Sequence, residues 1–147
     1  MSLVRRIAIA LVASVGLLVA SVATASAATG GVPFTVELTG AAEVQPADPD
    51  GSGTAHLTVN PGQGEVCWTI ELTDVDPIDL EAHIHKAPSG MNGPIVVPFD
   101  PDYSAGCTDV SRELALDIVL HPSSYYVNVH NEEFPRPLGA LRGQLSR

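Results

Sequence analysis

His83 and His85 stand two residues apart in Leu80-Glu81-Ala82-His83-Ile84-His85, and His130 closes the run Tyr125-Tyr126-Val127-Asn128-Val129-His130. Leu80, Ala82 and Ile84 alternate with Glu81, His83 and His85, and Tyr125, Val127 and Val129 alternate with Tyr126, Asn128 and His130. Successive side chains of a strand leave on opposite faces, so all three imidazoles occupy the non-apolar register of two predicted strands. If those strands are neighbours, three neutral imidazoles converge and leave a coordination position open. That donor set suits copper or zinc, and also nickel and iron. The same register serves a second purpose equally well: each ring can hydrogen-bond a carbonyl of the long connection that follows and hold it in place. His56 reads as a solvent-facing strand residue, and His121 as the end of a helix, where positive charge suits the unpaired carbonyls.

Other chemistries find less support. The chain holds no G-x-S-x-G, no H-E-x-x-H and no phosphate loop. Asp48-Pro49-Asp50-Gly51-Ser52 begins like a calcium loop, yet Val59 stands where the closing glutamate belongs. It reads as a polar hairpin loop. Asp74, Asp76, Asp79, Asp100 and Asp102 read as solvated loop acids. Glu132 and Glu133 are adjacent, so their side chains diverge in an extended chain, a poor start for paired acid–base work. Tyr103, Tyr125 and Tyr126 offer either a binding surface or a core edge.

The elements that must position the histidines are short and punctuated by turns. Phe34, Val36 and Leu38 alternate with polar residues, as do Ala55, Leu57 and Val59, then Val66, Trp68, Ile70 and Leu72. Pro61-Gly62-Gln63-Gly64 between the last two runs predicts a hairpin. Ala87 to Pro94 is a loop before the strand Ile95 to Phe99, and Asp100 to Gly106 is another loop that carries Cys107 at its far end. Glu113 to Leu120 is the one predicted helix, with Ser111 as N-cap, and a last strand lies near Leu141 to Leu145. About seven strands with Gly/Pro turns predict an all-β antiparallel sandwich or barrel with one short helix.

Residues 1–27 read as a cleavable export signal: Arg5-Arg6, an apolar run from Ile7, and Ala25-Ser26-Ala27 before the cut. Residues 28–147 then form one domain, with no membrane span after cleavage. Removing the signal takes away two arginines and no acid, so the net charge of −10 becomes −12. Such a surface repels phosphate backbones and excludes nucleic acid as a partner. In an exported chain the pair Cys67 and Cys107 reads as a disulfide.

His83-Ile84-His85 followed by Gly90-Met91-Asn92-Gly93-Pro94-Ile95-Val96-Val97, then Tyr125-Tyr126-Val127-Asn128-Val129-His130, then Leu141-Arg142-Gly143-Gln144-Leu145, resembles the ordered motifs of the chordin (CHRD) domain. Gly139-Ala140-Leu141 lacks the acid of that family's G-E-I-R-G-Q-L run, a carboxylate this chain does without or takes from Glu132 or Glu133. The resemblance implies a Greek-key sandwich or barrel, immunoglobulin-like or superoxide-dismutase-like. It implies His83, His85 and His130 as counterparts of copper ligands, and Arg142 as counterpart of an anion-guiding arginine. The zinc-ligand run of the dismutase does not carry over, since only His121 lies between His85 and His130. The expectation is a secreted, non-enzymatic binding module that engages an extracellular protein or a cell-envelope component. The alternative is a copper- or zinc-binding protein with a three-histidine site and weak redox activity.

Overall fold

In the computed structural model, which describes residues 30–147 except Pro77 and Asp79, the alternating runs become strands. The expected signal segment lies outside the described residues. β1 (Val32–Thr39) turns Phe34, Val36 and Leu38 inward, β2 (Ser52–Asn60) turns Ala55, Leu57 and Val59, and β3 (Glu65–Thr73) turns Val66, Trp68 and Ile70. The predicted hairpin joins β2 to β3. Gly64 ends its turn at φ 74°, where a Cβ would also stand 2.7 Å from the Val110 carbonyl oxygen. β4 (Glu81–Lys86), β5 (Ile95–Pro98), β6 (Ala105–Asp109), β7 (Tyr125–His130) and β8 (Leu141–Gln144) complete the set.

All eight strands belong to one antiparallel sheet in the order β5-β4-β7-β8-β1-β2-β3-β6. The sheet curls into a nearly closed barrel, so the barrel is the realised form of the expected all-β fold. The single α-helix among the described residues, α1 (Arg112–Leu120), starts where Ser111 Oγ accepts the Leu114 N–H at 3.0 Å and buries Ala115, Ile118 and Val119 in the core. Asp117 on α1 accepts from the Tyr125 hydroxyl, from Lys86 Nζ at 2.7 Å and from His121 Nδ1 at 2.8 Å. These bonds hold its carboxyl well below the usual carboxylate range, Lys86 contributing most. His121 does end the helix as its C-cap, and its ring is engaged with the Asp117 carboxylate. None of the described helices is long and apolar enough to cross a membrane.

Alternation fails to announce β6. Ala105-Gly106-Cys107-Thr108-Asp109 carries no apolar stripe, and it pairs with β3 so that Cys107 is the direct Cα partner of Cys67. The two cysteines form the expected disulfide across that pair. Nearby, Trp68 stacks on Phe99 with centroids 4.4 Å apart and donates Nε1–H to the Asp102 carbonyl at 3.1 Å. The β5–β6 connection thus packs on β3 at the far end of the sheet. Asp48 Oδ1 accepts the N–H groups of Asp50 and Gly51 at 3.0 and 2.7 Å, which makes that segment the polar turn expected of it.

Closing a loop across the 40 residues between the cysteines stabilises the fold by about 4 kcal/mol in the chain-entropy account. Urea unfolding of oxidised and reduced protein should differ by an amount on that order. A difference below about 1 kcal/mol would mean that the backbone ladder alone secures β6.

Candidate metal centre

β4 and β7 are neighbours, and their register decides the site. Glu81 faces His130, His83 faces Asn128 and His85 faces Tyr126, all on one side of the sheet, while Ala82, Ile84, Val127 and Val129 enter the apolar core on the other. β8 extends the polar side, with Arg142 opposite Asn128 and Gln144 opposite Tyr126.

This polar side is not open to water. Every residue of β7 is buried, and His83, His85 and His130 are each less than a tenth exposed. Over His85 and Tyr126 the covering segment is the 87–94 loop, clamped by side chains of neighbouring strands, and beside His130 it is the segment that carries Pro135 and Arg136. Arg142 donates to Asn92 Oδ1 at 3.3 Å and to the Pro88 carbonyl at 3.1 Å while its guanidinium carbon lies 3.4 Å from the centre of the Tyr126 ring. Gln144 Nε2 donates to the Ala87 carbonyl at 3.0 Å, and the Gly93 N–H donates to the Tyr126 hydroxyl at 3.3 Å. Gly93 is required there, because a Cβ would fall 2.0 Å from the Lys86 carbonyl oxygen.

Under this cover the three rings form a triangle, with centroids 5.7, 5.4 and 6.2 Å apart. One nitrogen from each lies within 4.8 Å of the other two. His85 Nδ1 is 2.9 Å from the Gly93 carbonyl. A carbonyl only accepts, so Nδ1 carries the proton and the neutral ring leaves Nε2 as a bare lone pair. A backbone carbonyl behind a ring in this way is the support that metal-ligating histidines commonly have. Four buried imidazole nitrogens, Nδ1 of His83, Nε2 of His85 and both nitrogens of His130, have no hydrogen-bond partner, nor has the neighbouring Asn131 Nδ2. Leaving such groups unpaired costs about 1–3 kcal/mol each. Burial lowers the pKa of His83 to about 4, with His85 adding to the effect, and lowers that of His130 to about 4, with His83 adding. Burial lowers His85 as well. Neutral imidazoles are the form that binds metal.

The reading of these rings as loop fasteners is carried by His85 and extends to His130, whose protonated form the Leu138 backbone also favours without a hydrogen bond of normal geometry. The reading as a convergent donor set accounts for all three. A second group of potential ligands, Glu65 with Cys67 and Cys107, has its sulfurs committed to the disulfide.

Arg142 is buried, and its contacts are those of the loop clamp just described. The carboxylate beside Asn128 comes from neither Glu132 nor Glu133 but from Glu43, which accepts from Asn128 Nδ2 and sits where a Cβ on Gly139 would be, 2.1 Å from its Oε1. Burial raises the Glu43 pKa. Sequence reading missed Glu43 because it follows β1 by four residues, at the end of a short 3-10 turn with no motif around it. Tyr125 and Tyr126 are both buried, so neither supplies a surface.

The CHRD domain family model matches residues 34–145. The chain belongs to the CHRD family. No curated protein and no solved structure matches it. The CHRD motifs that are scattered through the sequence meet in space: the histidine runs form the cluster, and Asn92, Gly93, Tyr126, Arg142 and Gln144 form the clamp over it.

Two outcomes follow from this CHRD domain's geometry. His83 and His130 hold protons less tightly when folded than when unfolded, where imidazole titrates near 6.5. Between that value and about 4 the unfolded chain binds more protons, so stability falls as pH falls through this window. Metal-free protein should lose about 5 °C or more of Tm between about pH 7 and about pH 4.5, the shift that about 1 kcal/mol produces. His83→Ala should flatten the profile, and a flat wild-type profile would contradict burial of neutral rings. Separately, Gly93→Ala should destabilise by about 2 kcal/mol or more and speed amide exchange across residues 87–94. Unchanged exchange there would show that the clamp tolerates a side chain.

Proposed function

We propose that this CHRD domain is a non-enzymatic extracellular module that binds one copper or zinc ion through His83, His85 and His130. The observation that carries the reading is the set of buried, unpartnered imidazole nitrogens facing one another. Metal–nitrogen bonds are about 2.0–2.1 Å long, so one ion reaches all three rings with small ring movements. Binding satisfies polar atoms that the fold otherwise leaves bare. The disulfide supports an oxidising compartment outside the cytoplasm, and the excess of acids favours cations and basic surfaces over nucleic acid.

In this reading the ion also organises a surface. His85 is bonded to the 87–94 loop and His130 opens the 131–140 connection, so fixing both rings stiffens the two segments over the site. Those segments are what an extracellular protein or cell-envelope partner would meet.

Titration of purified protein with Cu(II) and with Zn(II) should give one site of Kd below about 1 µM. At free metal about 100 times Kd, the unfolding free energy should rise by about 2.7 kcal/mol. His83→Ala/His85→Ala should remove both effects while retaining the β-sheet circular dichroism. Binding weaker than about 10 µM, or indifferent to the substitutions, would sink the metal reading.

A further inference from the structure

Three imidazoles leave a coordination position open, and an oxygen donor stands at its rim. Glu81 precedes His83 by two residues on β4, so its side chain leaves the sheet on the same face. Across the β4–β7 pair it is the Cα partner of His130. Its Oε2 lies 4.0 Å from His83 Nε2. The carboxylate thus adjoins the His83 ring without hydrogen-bonding it, and its charge also acts on His130, with which Glu81 lines one cleft.

Arg136 holds it there. Its Nε is 3.1 Å from Glu81 Oε2, and a terminal guanidinium nitrogen is 3.5 Å from Oε1. Arg136 also lines three clefts that open on the cluster: one at His83, one at His130, and one at His85 and His130 together. Arg136 therefore borders the cluster on each of its open sides. Burial is the main reason His83 and His85 stay neutral, and the charge of Arg136 adds to it. Both partners of the ion pair are about half exposed, and such a pair contributes little to stability. Breaking it costs little.

We propose that Glu81 is the fourth ligand of the three-histidine site and that Arg136 holds it aside in the metal-free protein. Uptake of a divalent ion then exchanges the Glu81–Arg136 pair for a metal–carboxylate bond, while Arg136 turns outward to water or to Glu132 on the rim of the same cleft. This deepens the three-histidine reading and rests on it. The two members of one ion pair then act in opposite directions on affinity. A carboxylate ligand lowers the charge of the bound centre, and a guanidinium beside the site competes for that ligand and repels the ion. Asp100 is the rival acid: it lines the His83 cleft and its charge acts on the His83 ring, but it forms no ion pair with any of the three rings, whereas Glu81 approaches His83 to 4.0 Å.

The test compares Cu(II) and Zn(II) binding by wild type, Glu81→Gln, Arg136→Gln and Asp100→Asn, together with the Cu(II) electron paramagnetic resonance spectrum of Glu81→His. Glu81→Gln should weaken binding about 10-fold or more, Arg136→Gln should tighten it several-fold, and Asp100→Asn should stay within about twofold of wild type. Glu81→His should add a fourth nitrogen to the copper hyperfine pattern and lower g∥, which a residue with a purely structural role would not do. Wild-type protein that binds tightly while Glu81→Gln matches it, or a Glu81→His spectrum unchanged from wild type, overturns the role of Glu81 alone. Wild-type protein that takes up neither ion overturns the three-histidine reading with it.

Discussion

Antiparallel pairing between β4 and β7 runs from Glu81 opposite His130 to Lys86 opposite Tyr125 without a break, and the polar cluster exists only in that register. A slip by one residue would turn the imidazoles into the apolar core and drive Ala82 and Ile84 out of it. Burial of Ile84, Val127 and Val129 therefore fixes the register, and the same force sets the positions of the histidines on the opposite face. The stability of the core and the geometry of the site have one cause.

A polar sheet face normally meets water. Here it meets a loop, and the difference determines the chemistry. The 87–94 segment is held by charged and amide side chains reaching across β7 and β8, with Arg142 stacked on Tyr126 and Gln144 bonded to main-chain carbonyls. This loop and the 131–140 segment together keep solvent from the three imidazoles, and burial keeps them neutral. Only His85 makes a well-formed hydrogen bond to this cover, through the Gly93 carbonyl. The remaining lone pairs and ring N–H groups are left facing each other, a costly arrangement in an interior and a useful one for a cation.

Much of this was legible in the sequence. Period-two alternation gave β1 to β4 and β7, Ser111 gave the helix cap, and His83-Ile84-His85 with His130 gave three rings on a shared face. Alternation reports which side a residue takes but not what lies over that side, so the burial of all of β7 could not be read from Tyr126, Asn128 and His130. β6 escaped because its pairing depends on a disulfide and a backbone ladder instead of an apolar stripe. Arg136 and Glu43 escaped because each reaches the site from an irregular segment, where neither periodicity nor spacing constrains direction. Glu81 was visible only as one more polar residue of a strand, and its place beside His130 appears once β4 and β7 are paired.

The Cys67–Cys107 link gives the chain a closed ring that contains β4 and β5, and with them two of the three histidines, whereas His130 lies on the tail that follows. Among the described residues of that ring, the longest exposed run is 88–92, in the loop beside His85. A protease that cuts there opens the backbone but not the molecule: both fragments stay tethered through sulfur, and β4 and β5 remain stitched to opposite ends of the break. Damage at the surface segment nearest the histidines is thereby converted from loss of a piece into a local nick.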